Sequence, residues 1–165
     1  MTASTTANAL TTLTGLSFPI RAGLRYAWRM FATYDAAATT TGSRWTMYCA
    51  TGTPSYRSEY ALTTTTRTTN EALTAVQQPA ASNASSAATT NNTAIVEGII
   101  TAGATDDTVI FQFASEVAAS AITAKANLTY VAIDMQGKPR VLGTPAGGNQ
   151  PQQAFASCTE LQAYA

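Results

Sequence analysis

Histidine is absent from the 165 residues, and charge is scarce: 9 Lys+Arg balance 9 Asp+Glu, and charged residues are 11% of the chain, under half of the roughly one quarter usual in a globular domain. The missing histidine removes the commonest general base and metal ligand near neutral pH. The zero net charge removes long-range steering toward nucleic acid or an anionic membrane, so neither is an expected partner. Cysteine is rare as well. Cys49 and Cys158 stand far apart, with no CxxC spacing and no neighbouring ligands, so no zinc site or redox motif is written and both read as free thiols. No run of about 18 apolar residues occurs, and the opening MTASTTANALTTL lacks a cationic start followed by an apolar block. Neither a membrane span nor a secretion signal is therefore legible, and synthesis in the cytosol is the expectation. Walker A, Rossmann-type glycine, SxxK and GxSxG patterns are missing too.

What is abundant is small or β-branched: 33 Ala and 30 Thr fill 63 of 165 positions. Period-two alternation supplies the clearest structural signal. In Leu24 to Phe31, Leu24, Tyr26, Trp28 and Met30 share one parity and Arg25, Ala27 and Arg29 the other, until Phe31 breaks the pattern. Leu16 to Ile20 alternates in the same way, with Arg21-Ala22-Gly23 as the turn between the two strands. After a small-residue loop from Ala36 to Gly42, Ser43 to Cys49 reads as a third strand, with Trp45, Met47 and Cys49 on one side. Tyr56 to Thr69 is a β-branched run that favours extended structure, and Glu71 to Val76 is either a short strand or a helical turn.

Residues Gln77 to Asn92 hold no large apolar side chain and read as a surface loop. Ala94 to Ile100 resumes strand character, and Thr108 to Ala114 is its expected hairpin partner across the turn 101–107, with Val109, Phe111 and Phe113 on one face. Ala121 to Lys125 and Leu128 to Ile133 complete about eight strands. This set predicts an all-β chain, an antiparallel β-sandwich or jelly roll over residues 1–134. Residues 135–165 change character: a Pro- and Gly-rich stretch reads as an extended C-terminal arm, followed by a docking segment in which Phe155, Cys158 and Leu161 recur every third position.

Two constellations could carry chemistry. Asp106-Asp107 with Glu116 is the one local carboxylate grouping, and it reads as hairpin-turn chemistry before it reads as a calcium site or an acid/base pair. Arg21, Arg25, Arg29, Arg44, Arg57 and Arg67 interleave with Tyr26, Trp28, Trp45, Tyr48 and Tyr56, which resembles a nucleic-acid footprint. With no excess positive charge, the strip reads instead as outward-facing arginines paired with Glu59, Asp35 or acids of a neighbouring subunit. Arginine and aromatic residues are enriched in interface centres. The candidate interface residues are therefore Arg25, Arg29, Arg44, Trp45, Tyr48, Tyr56 and Arg57, with Phe155, Leu161 and Tyr164 in the arm. No catalytic, cofactor-binding or metal-binding residue is assigned, and the chain reads as a non-enzyme.

Four blocks carry a more specific signal: GLSFPIRAG (Gly15 to Gly23), YDAAATTTGSRW (Tyr34 to Trp45), AIVEGII (Ala94 to Ile100) and FASEVAASAITAKA (Phe113 to Ala126). In this order, over roughly residues 8 to 133, they resemble a module of virion structural proteins of tailed bacteriophages. The resemblance implies a particle-surface or tail-associated protein, often a trimer. The expected function is thus a capsid decoration (cement) protein, located in the virion and binding the major capsid protein or other virion proteins as a homotrimer. The alternative is a tail-fibre receptor- or glycan-binding module in which exposed Trp45, Tyr48 or Tyr56 would stack on a sugar. The arm, residues 135–165, is the candidate attachment device.

Overall fold

The computed structural model describes residues 1–77, 84–125, 129–134 and 138–140, the last two stretches as backbone only. In chain order its strands are β1 (Thr2–Ser4), β2 (Thr11–Ile20), β3 (Arg25–Ala36), β4 (Ser43–Tyr48), β5 (Thr53–Ala61), β6 (Arg67–Leu73), β7 (Asn92–Thr101), β8 (Asp107–Ser115), β9 (Ile122–Ala124), β10 (Thr129–Asp134) and β11 (Lys138–Arg140). There is no helix among the described residues. The larger sheet has eight strands in the order β1-β9-β3-β7-β5-β6, with β10 also on β3 and β11 on β10; the smaller has the order β2-β8-β4. All strand pairs are antiparallel, and the two sheets pack face to face as a β-sandwich.

Alternation decides which side chains enter the layer between the sheets. On β3, Tyr26, Trp28, Met30, Ala32, Tyr34 and Ala36 are buried, while Arg25, Arg29 and Phe31 are exposed. Phe31 therefore keeps the parity of the arginines instead of breaking it. From the smaller sheet, Leu13, Leu16, Phe18, Trp45, Met47, Val109, Phe111 and Phe113 meet this face. Two aromatic clusters result. Trp28 lies 5.5 Å from Phe111 and 5.9 Å from Tyr56 between ring centroids. Trp45 stacks on Phe113 at 4.9 Å and meets Tyr34 at 5.0 Å. Such pairs add about 0.5–1.5 kcal/mol each beyond burial.

Burial calls for partners at the polar tips of the rings, and Trp45 and Tyr60 have them, whereas the buried Trp28 Nε1 has no hydrogen-bond partner among the described residues. Trp45 Nε1 donates to Ser43 Oγ at 3.0 Å, and Asn70 Nδ2 donates to the Tyr60 hydroxyl at 2.9 Å. Burial pushes the Tyr60 phenol up to about 12, outweighing the opposing Asn70 hydrogen bond. The Tyr34 phenol is raised for the same reason.

Several expectations are corrected. Thr108 to Ala114 is not the hairpin partner of Ala94 to Ile100: β8 pairs β2 and β4, whereas β7 pairs β3 and β5. The turn between them carries the chain from one sheet to the other. The run from Tyr56 to Thr69 is not one extended stretch. It folds back at Leu62 to Thr66, where the Thr63 hydroxyl accepts hydrogen bonds from the backbone N–H groups of Thr65 and Thr66, and β6 continues to Leu73. The open choice at Glu71 to Val76 resolves as strand through Leu73 and turn beyond it. The loop before β7 is not wholly superficial, since Ser86 is buried and its hydroxyl donates to Thr41 O at 2.7 Å. At the other end β11 lies within the stretch expected to be arm, and the sheet extends to Arg140. The rest of the arm, with Phe155, Leu161 and Tyr164, lies outside the described residues, as does Cys158. Cys49 is a buried free thiol.

Candidate interaction surface

On the outer face of the eight-stranded sheet, strand register brings charged side chains of separate strands together. Arg29 of β3 and Arg57 of β5 stand opposite Glu97 of β7 from either side. Glu97 accepts from both: Arg29 Nε is 3.2 Å from Oε2, and Arg57 Nη2 and Nε are 2.5 and 2.7 Å from Oε1. Arg57 also lies 3.6 Å from Glu59 and 3.7 Å from Glu71, and Arg67 pairs with Glu59. The hydrogen bond that Arg57 donates to Glu97, followed by the Glu97 charge, raises the Arg57 guanidinium above its ordinary range. The result is a ladder of alternating sign across four strands.

Apolar side chains flank that ladder. Phe31 stands opposite Ile95, and Ala27 opposite Ile99. Phe31 is 38% exposed and the other three are half-buried. Arg25 is exposed at the start of β3, and no acid pairs with it among the described residues.

Of the residues expected at an interface, Arg25, Arg29 and Arg57 share this face. Arg44 and Tyr48 are half-buried on β4 of the other sheet. Trp45 and Tyr56 are corrections: they are 0% and 4% exposed, because each points into the layer between the sheets and closes an aromatic cluster. Neither can stack on a sugar. Phe31, Ile95, Ile99 and Glu97 escaped the sequence reading. The parity of Arg25, Ala27 and Arg29, carried one step further, would have placed Phe31 with them.

The carboxylate grouping does not assemble. Asp106 and Asp107 sit at the start of β8 and Glu116 just past its end. Asp106 Oδ1 accepts from Ala22 N at 2.8 Å, and Asp107 accepts from Thr51 N, Thr51 Oγ1 and Thr108 N at 2.7, 3.1 and 2.7 Å. These carboxylates latch neighbouring turns, as Asp does in such positions. A depression of about 360 Å³ beside them is lined by Pro19, Ile20, Arg21, Asp106, Asp107 and Thr108, and both acids in it are already engaged. No group of three metal-ligating side chains occurs among the described residues.

Partial burial raises the Asp107 carboxyl, but the hydrogen bonds from Thr108, Thr51 and Ala50 outweigh it and hold it below the usual range. At Asp35, partial burial likewise yields to the Asn91 N–H and then to Lys125, whose Nζ lies 3.0 Å away. A carboxyl lowered in the folded state stabilises it above the ordinary carboxylate range, and this contribution disappears as pH falls through the lowered value. With no histidine to titrate, the melting temperature is expected to be flat from pH 5 to 8 and to drop below about pH 4. Asp107→Asn should shrink that acid-side drop. Glu97→Gln leaves two arginines sharing no acid, yet all three groups meet solvent, so we expect a loss below about 1 kcal/mol that vanishes as salt is raised.

No protein-family model matches the chain, and no curated protein or solved structure matches it.

Proposed function

We propose that the chain is a non-enzymatic structural protein of a tailed-bacteriophage virion, a decoration protein that binds the capsid surface as a homotrimer. The observation that carries this reading is where the four blocks of phage-like sequence lie in space. Tyr34 to Trp45 and Phe113 to Ala126, far apart in sequence, run together: Trp45 stacks on Phe113, Ser43 stands opposite Ser115, Ala36 opposite Ile122, and Ala37 N donates to Ala121 O at 2.8 Å. Ala94 to Ile100 is the central strand beside β3, and Gly15 to Gly23 is the second half of β2 with its turn. Blocks that specify one contiguous framework are what a shared module would keep. The ladder of paired charges and the apolar flanks on the outer face supply a surface suited to subunit contacts. The fibre alternative loses two of its three stacking rings to the core.

The test is copy number. Purified particles analysed by quantitative mass spectrometry should carry hundreds of copies, on the head. A handful of copies at the tail tip would defeat the reading in favour of a fibre. Because β11 belongs to the sheet, the informative truncation begins after Arg140. Deleting residues 141–165 should leave a folded sandwich while lowering head occupancy at least about tenfold through lost avidity.

A further inference from the structure

Near the end of β3, Asp35 lies between side chains that arrive from the strands on either side. Tyr34 stands opposite Ala124 of β9 and opposite Asn92 of β7, so Lys125, just past β9, and Asn91, just before β7, flank Asp35. Lys125 Nζ is 2.8 Å from Asn91 Oδ1 and 3.0 Å from Asp35 Oδ1, and the same Asp35 oxygen accepts from Asn91 N at 2.9 Å. The backbone fixes both ends. Lys125 N donates to Thr33 O at 2.8 Å, and Asn91 is held at a φ of 59°, a left-handed conformation that asparagine tolerates.

An amine, an amide carbon and a carboxylate able to carry a proton are the parts of an amide exchange. Asn91 Cγ is one carbonyl bond beyond Oδ1, about 1.23 Å, and therefore lies within about 4 Å of Nζ. A small torsion of either side chain closes this to the roughly 3–3.5 Å at which reacting atoms meet. The side chains of Lys125 and Asp35 are 28% and 33% exposed, so most of each is withdrawn from water. Strand pairing thus supplies the proximity that free amine and amide in solution lack.

We propose that Lys125 and Asn91 become joined by an isopeptide bond that the folded protein forms by itself, with Asp35 carrying the proton. Asp35 Oδ1 takes a proton from the Lys125 ammonium, the freed lone pair of Nζ adds to Asn91 Cγ, and the Cγ–Nδ2 bond breaks. Nζ gives up a second proton, with which Nδ2 leaves as ammonia, and the proton on Asp35 follows to make ammonium. The carboxylate is regenerated, and nothing is oxidised or reduced. Because the resting pair of ammonium and carboxylate must be undone each time, the bond forms slowly, over days, once the strands are in place. It closes residues 91–125 into a ring and ties β9 to β7 across β3. The chemistry needs only the fold and does not depend on a place in a virion.

The test is the mass of the full chain. Purified protein aged for a week at neutral pH should contain a species lighter than its sequence mass by one ammonia, growing with time. Digestion should yield a branched peptide in which Lys125 is joined to Asn91. Lys125→Arg, which keeps the positive charge, should stay at full mass and melt roughly 10 °C below the linked parent, as a long closed loop implies. Asp35→Asn should slow the loss of ammonia about a hundredfold. Full mass throughout the aged parent would overturn the proposal, and so would loss of ammonia without a branch, the mark of Asn91 closing on its own backbone. Equal rates in the parent and Asp35→Asn would overturn the step as written.

Discussion

Gly98→Ala is expected to lower the melting temperature by roughly 10 °C. Gly98 is central in β7, with Trp28 opposite on one side and Tyr56 on the other. All three positions face the interior, and the two rings meet across the gap at 5.9 Å. A Cβ at Gly98 would overlap Ser55 O, the Tyr56 Cβ and the Tyr56 backbone. Backbone cannot swing aside as a flexible side chain can, so β5 and β7 must part. Overpacking of this kind costs about 3 kcal/mol, which corresponds to that shift in a chain of this size. Thermal denaturation followed by far-ultraviolet circular dichroism checks it, and a shift under 3 °C would show that the strands separate freely.

Trp45→Ala should be comparably damaging, near 4 kcal/mol. The side chain is wholly buried, stacked on Phe113 and tilted against Tyr34. Removing it opens a large void and leaves Ser43 Oγ without its donor, and Trp→Ala in a core costs about 3–5 kcal/mol. Trp45→Phe keeps the ring contact and loses only the hydrogen bond and part of the volume, so about half that loss is expected. Urea titrations of both variants measure the difference. Were the alanine variant within 1 kcal/mol of the parent, Trp45 would belong to a surface after all.

The contrast between these two residues shows what the sequence could and could not disclose. Alternation located the β3 core correctly because the code for inside and outside is local, two residues long. It placed Val109, Phe111 and Phe113 together for the same reason. Sheet membership is not local: TAGATDD announces a reversal but says nothing about which layer receives the chain, and β8 went to the sheet opposite β7. Alternation sets Trp45 on one side with Met47 and Cys49, and that side is the interior; its nearness in sequence to Arg44 is no guide to exposure. Gly98 gave no local sign at all, since its reason lies in two rings contributed by strands far away in the chain. The outer-face cluster was half legible: Arg25, Arg29 and Arg57 were visible as a strip, but Glu97, which joins two of them, required the register of β7.

The path of the chain between layers has a kinetic corollary. Passing from β1 to β2, β2 to β3, β3 to β4, β4 to β5, β7 to β8 and β8 to β9, it changes sheets each time, so the two layers are laced by the covalent backbone itself. Neither layer can peel off and leave the other standing, and nascent chains must wait for distant partners before the first layer closes. Such a protein assembles slowly but, once laced, comes apart only as a whole.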